Sequence, residues 1–291
     1  MKVGLIPVNI GVSGLEPMLA LAEKAEQVGI ESLWTFEHVV VPVDYKSKYP
    51  YSADGKMGVT PETNFIDPLV ALTAIAARTK RVRLGTGVNI LPQTNPLYMA
   101  KQAASLDLVS NGRFMLGVGV GWLREEFEAL GVPFDGRAAR CREYLAAMRA
   151  LWTEPVSRYE GKLLRVPPLR MFPKPIQKPH PPIVFGGESD AALRRVADLG
   201  QGWYGFNLLP DAVPSHLARL DSFLAERGRK RSEIQISISP YMQPVDFDAV
   251  RRYRDAGVEQ VIVLAMGGNR DGLLARLDEL AKTIVEPART L

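Results

Sequence analysis

Short apolar runs recur along the chain, separated by segments of amphipathic pattern. Eight of these runs are rich in Val, Ile, Leu and Phe, and most are continuously apolar rather than alternating. Continuous apolarity is typical of strands that are buried on both faces, as in a parallel sheet. The eight runs span residues 2–8, 31–36, 81–88, 113–120, 182–187, 202–206, 233–239 and 259–265.

A helical pattern follows each predicted strand. Several of these patterns end in a glycine that indicates a C-cap, at Gly29, Gly200, Gly228 and Gly257. Eight strands alternating with eight helices predict an α/β fold, a (β/α)8 TIM barrel. A doubly wound open sheet is the alternative, although it normally has fewer strands. We expect a single barrel domain over residues 1–291, because barrels of this length are common.

Two segments between the predicted elements are long insertions. Residues 39–64 follow the second strand and are rich in Tyr, Pro, Lys and Gly. A barrel has its active site at the carboxyl ends of its strands, so this insertion is placed to cover a ligand. Residues 153–181 contain "YEGKLLRV", which predicts a small hairpin, and then many prolines. These prolines do not mark a domain linker, since four predicted strands lie on either side of them.

Composition narrows the class of protein. The chain is 46% hydrophobic and 23% charged, as in ordinary soluble proteins. It has one cysteine, no basic leader and no apolar run of about eighteen residues, which predicts a cytoplasmic protein without a membrane span. Its net charge is +4, and the basic residues are scattered along the chain, which favours an anionic small ligand over a nucleic acid. No metal site is expected, because the three histidines lack metal-ligand spacing.

The segment after the second predicted strand carries an acid beside a histidine. "TFEHVVVP" places Glu37 and His38 at the carboxyl end of that strand. An acid next to an imidazole can exchange protons near neutral pH at the place where barrels bind ligands. The alternative is a histidine that is merely hydrogen-bonded within its loop.

Glycines mark the ends of two further strands. "RLGTGVNILP" has glycines on both sides of Thr86, which fit a flat ligand or a tight turn. "FMLGVGVGW" places Gly117, Gly119 and Gly121 on one side of a strand. The space at Gly117 fits a bulky neighbour or a ligand equally well, whereas Gly119 and Gly121 favour a cofactor ring. The G-x-G-x-G spacing differs from a dinucleotide fingerprint.

The fifth strand leads into a helix through "FGGESDAALRRVADLG". Gly186 and Gly187 allow close approach to the backbone, and the free amides of a helix start favour phosphate. Ser189 is the predicted N-cap, and a simple cap without a ligand is the alternative. Glu188 weighs against a bound anion, whereas two arginines follow within the helix.

Taken together, these motifs resemble the bacterial luciferase-like superfamily of flavin- or deazaflavin-dependent oxidoreductases. The resemblance covers nearly the whole chain and is most specific in "SNGRFMLGVGVGWLREEFEALGV", "PKPIQKPHPPIVFGGES" and "GTGVNILPQTNPLYMAKQAASLDLVSNGR". "FEHVVVP" and the "GW" of "LGQGWYG" are most similar to members that use coenzyme F420, a deazaflavin. The resemblance implies a barrel with insertions and a cofactor across its carboxyl-end mouth.

The resemblance also implies roles for individual residues. His38 would donate or accept a proton near the reactive carbon of the ring, with Glu37 as a second acid. A non-proline cis peptide bond would join Gly87 to Val88 behind the ring. The implied cofactor contacts are Gly87, Val88, Asn89, Gly119, Gly121, Gly186, Gly187, Glu188 and Ser189, and the implied substrate-side residues are Trp203, Tyr204 and Phe206.

The expected function is therefore an F420-dependent oxidoreductase that transfers a hydride between the deazaflavin and a small organic substrate. Sugar-phosphate dehydrogenases of the superfamily carry a tryptophan and a lysine where this chain reads "VVVP" and "GFNLLPD", which argues against a sugar phosphate as substrate. The aromatic and apolar residues expected on the substrate side predict an uncharged or mostly apolar organic molecule instead. The alternatives are an FMNH2-dependent monooxygenase and a flavin- or deazaflavin-binding protein without turnover. A homodimer is also expected from the resemblance.

Overall fold

A closed barrel of parallel strands forms the centre of the protein. The computed structural model describes residues 1–12, 14–265 and 269–291. The strands of these residues, in chain order, are β1 (Lys2–Ile6), β2 (Ser32–Thr35), β3 (Arg83–Thr86), β4 (Asn89–Ile90), β5 (Phe114–Gly119), β6 (Ser157–Glu160), β7 (Arg165–Leu169), β8 (Ile183–Gly186), β9 (Gly202–Phe206), β10 (Gln235–Ser239) and β11 (Gln260–Leu264).

Parallel pairing runs around the barrel in the order β3, β2, β1, β11, β10, β9, β8, β5. Pairing of β3 with β5 closes the circle, with Leu84 opposite Phe114. Each of the eight predicted runs contains one of these strands, so the predicted (β/α)8 barrel is confirmed. The third run is interrupted after Thr86, and its continuation β4 pairs separately with β5.

Helices surround the barrel and connect its strands. They are α1 (Leu15–Val28), α2 (Pro68–Arg78), α3 (Pro96–Val109), α4 (Arg124–Ala129), α5 (Arg137–Thr153), α6 (Asp190–Leu199), α7 (Val213–Ala225), α8 (Phe247–Asp255), α9 (Arg270–Leu280) and α10 (Glu286–Ala288). The side chains of Asp67, Asn95 and Ser189 cap the first turns of α2, α3 and α6. The short helix α4 was not predicted from the sequence, and it borders the site described below. Among the described residues, no helix has the length and apolarity to cross a membrane.

Two apolar layers hold the barrel together. The larger lies between the strands and the helices, and the smaller fills the barrel interior around Trp34, Met115, Tyr204 and Ile262. Successive residues of a strand point to opposite faces. Tyr204 and Phe206 of β9 therefore face the interior, whereas Trp203 faces the helices.

The insertion at residues 153–181 packs on the barrel. The predicted hairpin is present as the antiparallel pair β6 and β7. Beyond it, the side-chain amide of Gln177 donates to Asp107 Oδ1 at 2.6 Å and to the carbonyl of Phe114 at 2.7 Å. These bonds fix the proline-rich stretch against α3 and β5 before the chain enters β8.

Candidate active site

A cavity of about 470 Å³ opens at the carboxyl ends of the barrel strands. Its wall combines residues in or just after the carboxyl ends of β1, β2, β3, β5, β8, β9 and β10 with residues of the first insertion. The predicted site residues in this wall are Glu37, His38, Gly87, Val88, Gly119, Gly121, Gly186, Gly187, Glu188, Ser189, Tyr204 and Phe206. Asn89 is buried directly behind Glu37.

The insertion at residues 39–64 covers one side of this cavity. Its residues Tyr49, Tyr51, Met57 and Val59 line the wall. The hydroxyl of Tyr51 donates to Glu188 Oε2 at 2.9 Å, which ties the insertion to the loop after β8. The insertion therefore has the position over the strand ends that the sequence predicts.

His38 is held from behind by a carboxylate. Its Nδ1 lies 3.0 Å from Oε2 of Glu126, which is 2% exposed and belongs to α4. The imidazole stands edge-on to the rings of Phe65 and Trp122, at centroid distances of 5.5 and 6.3 Å. Nε2 has no hydrogen-bond partner among the described residues, and the ring lines the cavity. The alternative that His38 is merely hydrogen-bonded within its own loop does not hold, because its partner Glu126 belongs to α4.

Glu37 lies in the wall of the same cavity and is paired with an amide. The side-chain nitrogen of Asn89 donates to both of its oxygens, at 3.0 and 2.9 Å. Burial raises the pKa of the Glu37 carboxyl to about 8, since the hydrogen bond from Asn89 only partly offsets desolvation and the charges of Asp67 and Glu126 add to it. Glu37 is therefore largely a neutral acid at pH 7.

The bond between Gly87 and Val88 is cis, as the resemblance implied. The Val88 side chain that follows it lies among glycines of β5 and β8. A Cβ on Gly119 would stand 2.6 Å from Val88 Cγ2, and one on Gly186 would stand 3.1 Å from Cγ1. A Cβ on Gly117 would stand 1.7 Å from the carbonyl oxygen of Thr86. These glycines make room for the chain around the cis bond.

Gly121 has a similar explanation within the protein. Its φ is +81°, and a Cβ there would stand 2.7 Å from Phe127 and 2.8 Å from Ile90. Gly119 and Gly121 both line the cavity, so their contact with a cofactor stays a prediction. Close contacts within the protein nevertheless explain why both positions are glycine. From the sequence, the glycines at these two positions were attributed to a cofactor ring and not to such contacts.

The loop between β8 and α6 forms one end of the cavity. Gly187 has a φ of +105°, and the hydroxyl of Ser189 accepts from the amide of Ala192 at 3.2 Å. Ala192 and Arg195, one turn apart on α6, line the cavity beside this loop. Side chains of a helix lean toward its start, which is the direction of Ser189 from Arg195.

Arg195 is a buried charge without a protein counter-charge. It is 8% exposed and makes no hydrogen bond or ion pair with any residue that the structure describes. Burial and the charges of Arg142 and Arg137 lower its pKa, yet a guanidinium stays protonated in proteins. This end of the cavity therefore carries a positive charge available to an anion.

Two predicted residues have contacts other than those expected. Glu188 turns away from the helix start, because it accepts from Tyr51 and from the amide of Phe206 at 2.8 Å. Trp203 is fully buried on the helix-facing side of β9, where its indole nitrogen donates to the carbonyl of Gly187 at 3.0 Å. Trp203 therefore lies outside the cavity and does not line the predicted substrate side. It stabilises the loop after β8 from behind.

The remaining wall is aromatic and electrically neutral. Burial raises the pKa of the phenols of Tyr49, Tyr51 and Tyr204, so they remain protonated hydrogen-bond donors. The aromatic rings that line the cavity are those of Phe36, Tyr49, Tyr51, Phe65, Trp122, Tyr204, Phe206 and Tyr241. Such a wall suits a flat or cyclic molecule of low charge.

Several of these residues were not identified from the sequence. Glu126 stands among other acids in "REEFEA", a pattern that resembles an exposed helix turn. Its one distinguishing signal is its place beside Phe127, on the buried side of that turn. Tyr49 and Tyr51 lie about 190 residues before Tyr241 in the chain, and only the closure of the barrel brings the first insertion next to Tyr241.

The family model for luciferase-like monooxygenases matches residues 6–285. The chain belongs to this family. Its sequence is 32% identical over 269 residues to an uncharacterised protein of Mycobacterium tuberculosis, covering 92% of this chain and 93% of that protein. It is 31% identical over 173 residues to an FMNH2-dependent dimethylsulfone monooxygenase of Pseudomonas putida, covering 58% of this chain and 46% of that enzyme.

Solved structures of other proteins have the same fold. The monooxygenase RslO1 of Streptomyces bottropensis superimposes with a TM-score of 0.77 at 25% identity, covering 98% of this chain and 99% of that one. An F420-dependent secondary alcohol dehydrogenase superimposes with a TM-score of 0.78 at 16% identity, covering 99% and 98%. The proteins that this chain resembles in sequence or in fold thus include an FMNH2-dependent and an F420-dependent enzyme, and this chain is a luciferase-like oxidoreductase.

Proposed function

We propose that this family member binds coenzyme F420 and transfers a hydride between the deazaflavin and a small, uncharged organic substrate. The observation that carries the proposal is the wall of the cavity around Glu37 and His38. It joins two proton-exchanging side chains to a largely aromatic surface whose phenols are neutral. Such a site can move one proton at the substrate while a bound redox cofactor carries the hydride.

The residues present fit a phosphate-bearing ring cofactor. Arg195 supplies an unpaired charge at one end of the cavity, and Gly187 and the start of α6 offer backbone amides beside it. Gly87 and Val88, with Gly119 and Gly186 packed around the Val88 side chain, line the same cavity as His38. Gly87, Val88, Gly119 and Gly121 would hold the ring, and Gly186, Gly187 and Ser189 the phosphate.

The ring system would supply the hydride chemistry when bound, and the residues of the chain would handle the proton. His38 presents Nε2 to the cavity for exchange with a substrate oxygen. Glu37 is a neutral acid near neutral pH and can donate a hydrogen bond or a proton. The aromatic wall, with Tyr204 and Phe206, would bind the apolar part of the substrate and exclude water.

An FMNH2-dependent monooxygenase is the second candidate, supported by the sequence similarity to the Pseudomonas putida enzyme. Its flavin would also place a phosphate near Arg195, so the two candidates share one pocket. They differ in chemistry, because a reduced flavin activates oxygen whereas a deazaflavin reacts poorly with it. A binding protein without turnover is the third candidate, and it would need no proton-exchanging residue.

Titration of the purified protein with F420 and with FMN, each followed by fluorescence, tests the proposal. We expect micromolar binding of F420. Micromolar binding of FMN with none of F420 would instead establish the flavin candidate. His38→Asn is the matched variant for turnover, since it should keep cofactor affinity and lose activity. Full activity in His38→Asn would contradict the proposed proton role.

A further inference from the structure

The first turn of α4 holds both His38 and the start of the first insertion. Glu126 accepts from the backbone amides of Val39 and Val40 at 2.7 and 3.4 Å, both through Oε1. Its second oxygen, Oε2, lies 3.0 Å from Nδ1 of His38. The preceding residue, Glu125, accepts from the amides of Lys46 and Ser47. Two consecutive carboxylates thus fix both ends of the segment that begins at the histidine.

The two oxygens of Glu126 constrain the imidazole through simple donor and acceptor rules. A backbone amide can only donate, so Oε1 is committed to Val39 and Val40. An ionised carboxylate can only accept, so the hydrogen bond at Oε2 requires the proton of His38 to be on Nδ1. A neutral imidazole carries one proton, and Nε2 is then an unprotonated acceptor.

We propose that Glu126 is a positioning residue that fixes His38 in the Nδ1–H tautomer, so that Nε2 accepts the substrate proton. The substrate O–H bond breaks, the Nε2–H bond forms, and the carboxylate of Glu126 balances the charge of the resulting imidazolium. The same carboxylate sets the path of the insertion over the cavity. This inference rests on the proposed proton role of His38, but it can be tested without cofactor or substrate.

Glu126→Gln provides a sharp test because it is isosteric and reverses one hydrogen bond. The backbone amides of Val39 and Val40 still require an acceptor, so the carbonyl oxygen of the new amide must take the place of Oε1. Its NH2 group then takes the place of Oε2 and donates to Nδ1 of His38. The proton of the imidazole must move to Nε2. The packing stays the same, and the tautomer changes.

Long-range ¹H–¹⁵N spectra of the cofactor-free protein report directly which ring nitrogen of each histidine carries the proton. They should be recorded at about pH 8.5, which is about two units above the usual imidazole pKa. The protein has three histidines, and Nδ1 of His180 and His216 face the carbonyls of Pro181 and Ala212 at 2.8 and 2.9 Å. These two should show Nδ1–H in every variant and serve as internal references. His38→Asn assigns the remaining signals.

We expect Nδ1–H at His38 in the wild type and in Glu126→Asp, and Nε2–H in Glu126→Gln. Glu125→Gln is the matched control, and it should leave the tautomer of His38 unchanged. Nε2–H in the wild type, or Nδ1–H retained in Glu126→Gln, would overturn the inference. If a variant does not fold, the wild-type spectrum by itself still tests the inference, because it shows which nitrogen of His38 carries the proton.

Turnover of the cofactor-bound enzyme distinguishes a positioning role of Glu126 from a purely structural one. Glu126→Gln should lower kcat by about 10²- to 10⁴-fold with little change in cofactor affinity, because only proton transfer is affected. Glu126→Asp should recover part of the rate. Failure of F420 to bind would contradict the proposed function and leave the tautomer result standing, so the two outcomes are distinguishable.

Discussion

The side-chain nitrogen of Asn89 lies 3.0 and 2.9 Å from the two oxygens of Glu37. It is the one side-chain donor to this carboxyl among the described residues, and the carbonyl oxygen of the same amide is buried without a partner. One amide does not compensate a carboxylate for the loss of water, which is why burial raises the pKa of Glu37 to about 8. An acid kept neutral in a ligand cavity is a feature of proton-transfer sites.

This shift predicts a pH dependence of stability. The folded protein binds more protons than the unfolded chain between the usual pKa of 4.5 and about 8, so stability contributed by Glu37 falls as pH rises through this window. The effect is at most about 5 kcal/mol and smaller where water reaches the carboxyl. Urea unfolding should show that wild type loses stability relative to Glu37→Gln as the pH rises from about 5 to about 8. A pH-independent difference would contradict the shift.

Arg195 should contribute to ligand binding at the expense of stability. Arg195→Leu removes a buried, unpaired charge, so the free protein should melt at a higher temperature than wild type. The same variant should weaken binding of FMN or F420 by about tenfold or more, because it deletes a charged partner of the phosphate. Thermal unfolding and fluorescence titration measure the two effects.

The control for Arg195 is its neighbour Arg194, which is exposed and pairs with Glu226 at 3.3 Å. Arg194→Leu should change ligand affinity little. Riboflavin, which lacks the phosphate, should bind wild type and Arg195→Leu equally. An equal loss for riboflavin and FMN would place Arg195 at the ring rather than at the phosphate.

Gly119 and Val88 should be energetically coupled. Gly119→Ala places a methyl group 2.6 Å from Val88 Cγ2, and we expect it to lower the free energy of unfolding by about 1–3 kcal/mol. In the double variant Gly119→Ala, Val88→Ala, the valine methyl groups are gone, so the loss should be less than the sum of the single losses. Denaturant unfolding of all four proteins measures the coupling. Additive losses would show that Val88 is not the neighbour that excludes a side chain.

Gly187 should matter more for cofactor binding than the prolines that precede it. Its φ of +105° disfavours any side chain, and a Cβ would stand 3.0 Å from Ala192. Gly187→Ala should therefore distort the loop beside Arg195 and weaken binding of F420 or FMN. Pro181→Ala, two residues before β8, is the control, and it should weaken binding less. Equal effects in a fluorescence titration would argue against a phosphate site at this loop.

The local sequence was sufficient to predict the loop after β8. Ser189 caps α6 as expected, and two glycines before it leave the backbone open. The family resemblance implied that Trp203 lines the substrate side together with Tyr204 and Phe206, but Trp203 lies outside the cavity. Neighbouring residues of a strand face opposite sides, so Trp203 and Tyr204 cannot both line one cavity.

The sequence by itself determined the barrel, because strands buried on both faces must be continuously apolar and helices between them must be amphipathic. It also located Glu37 and His38 at a strand end, where barrels bind ligands. Only the tertiary structure joined His38 to Glu126, which is 88 residues away, and Tyr51 to Glu188, which is 137 residues away. Such pairs depend on strand register and on the closure of the sheet, because these decide which distant side chains share one cavity.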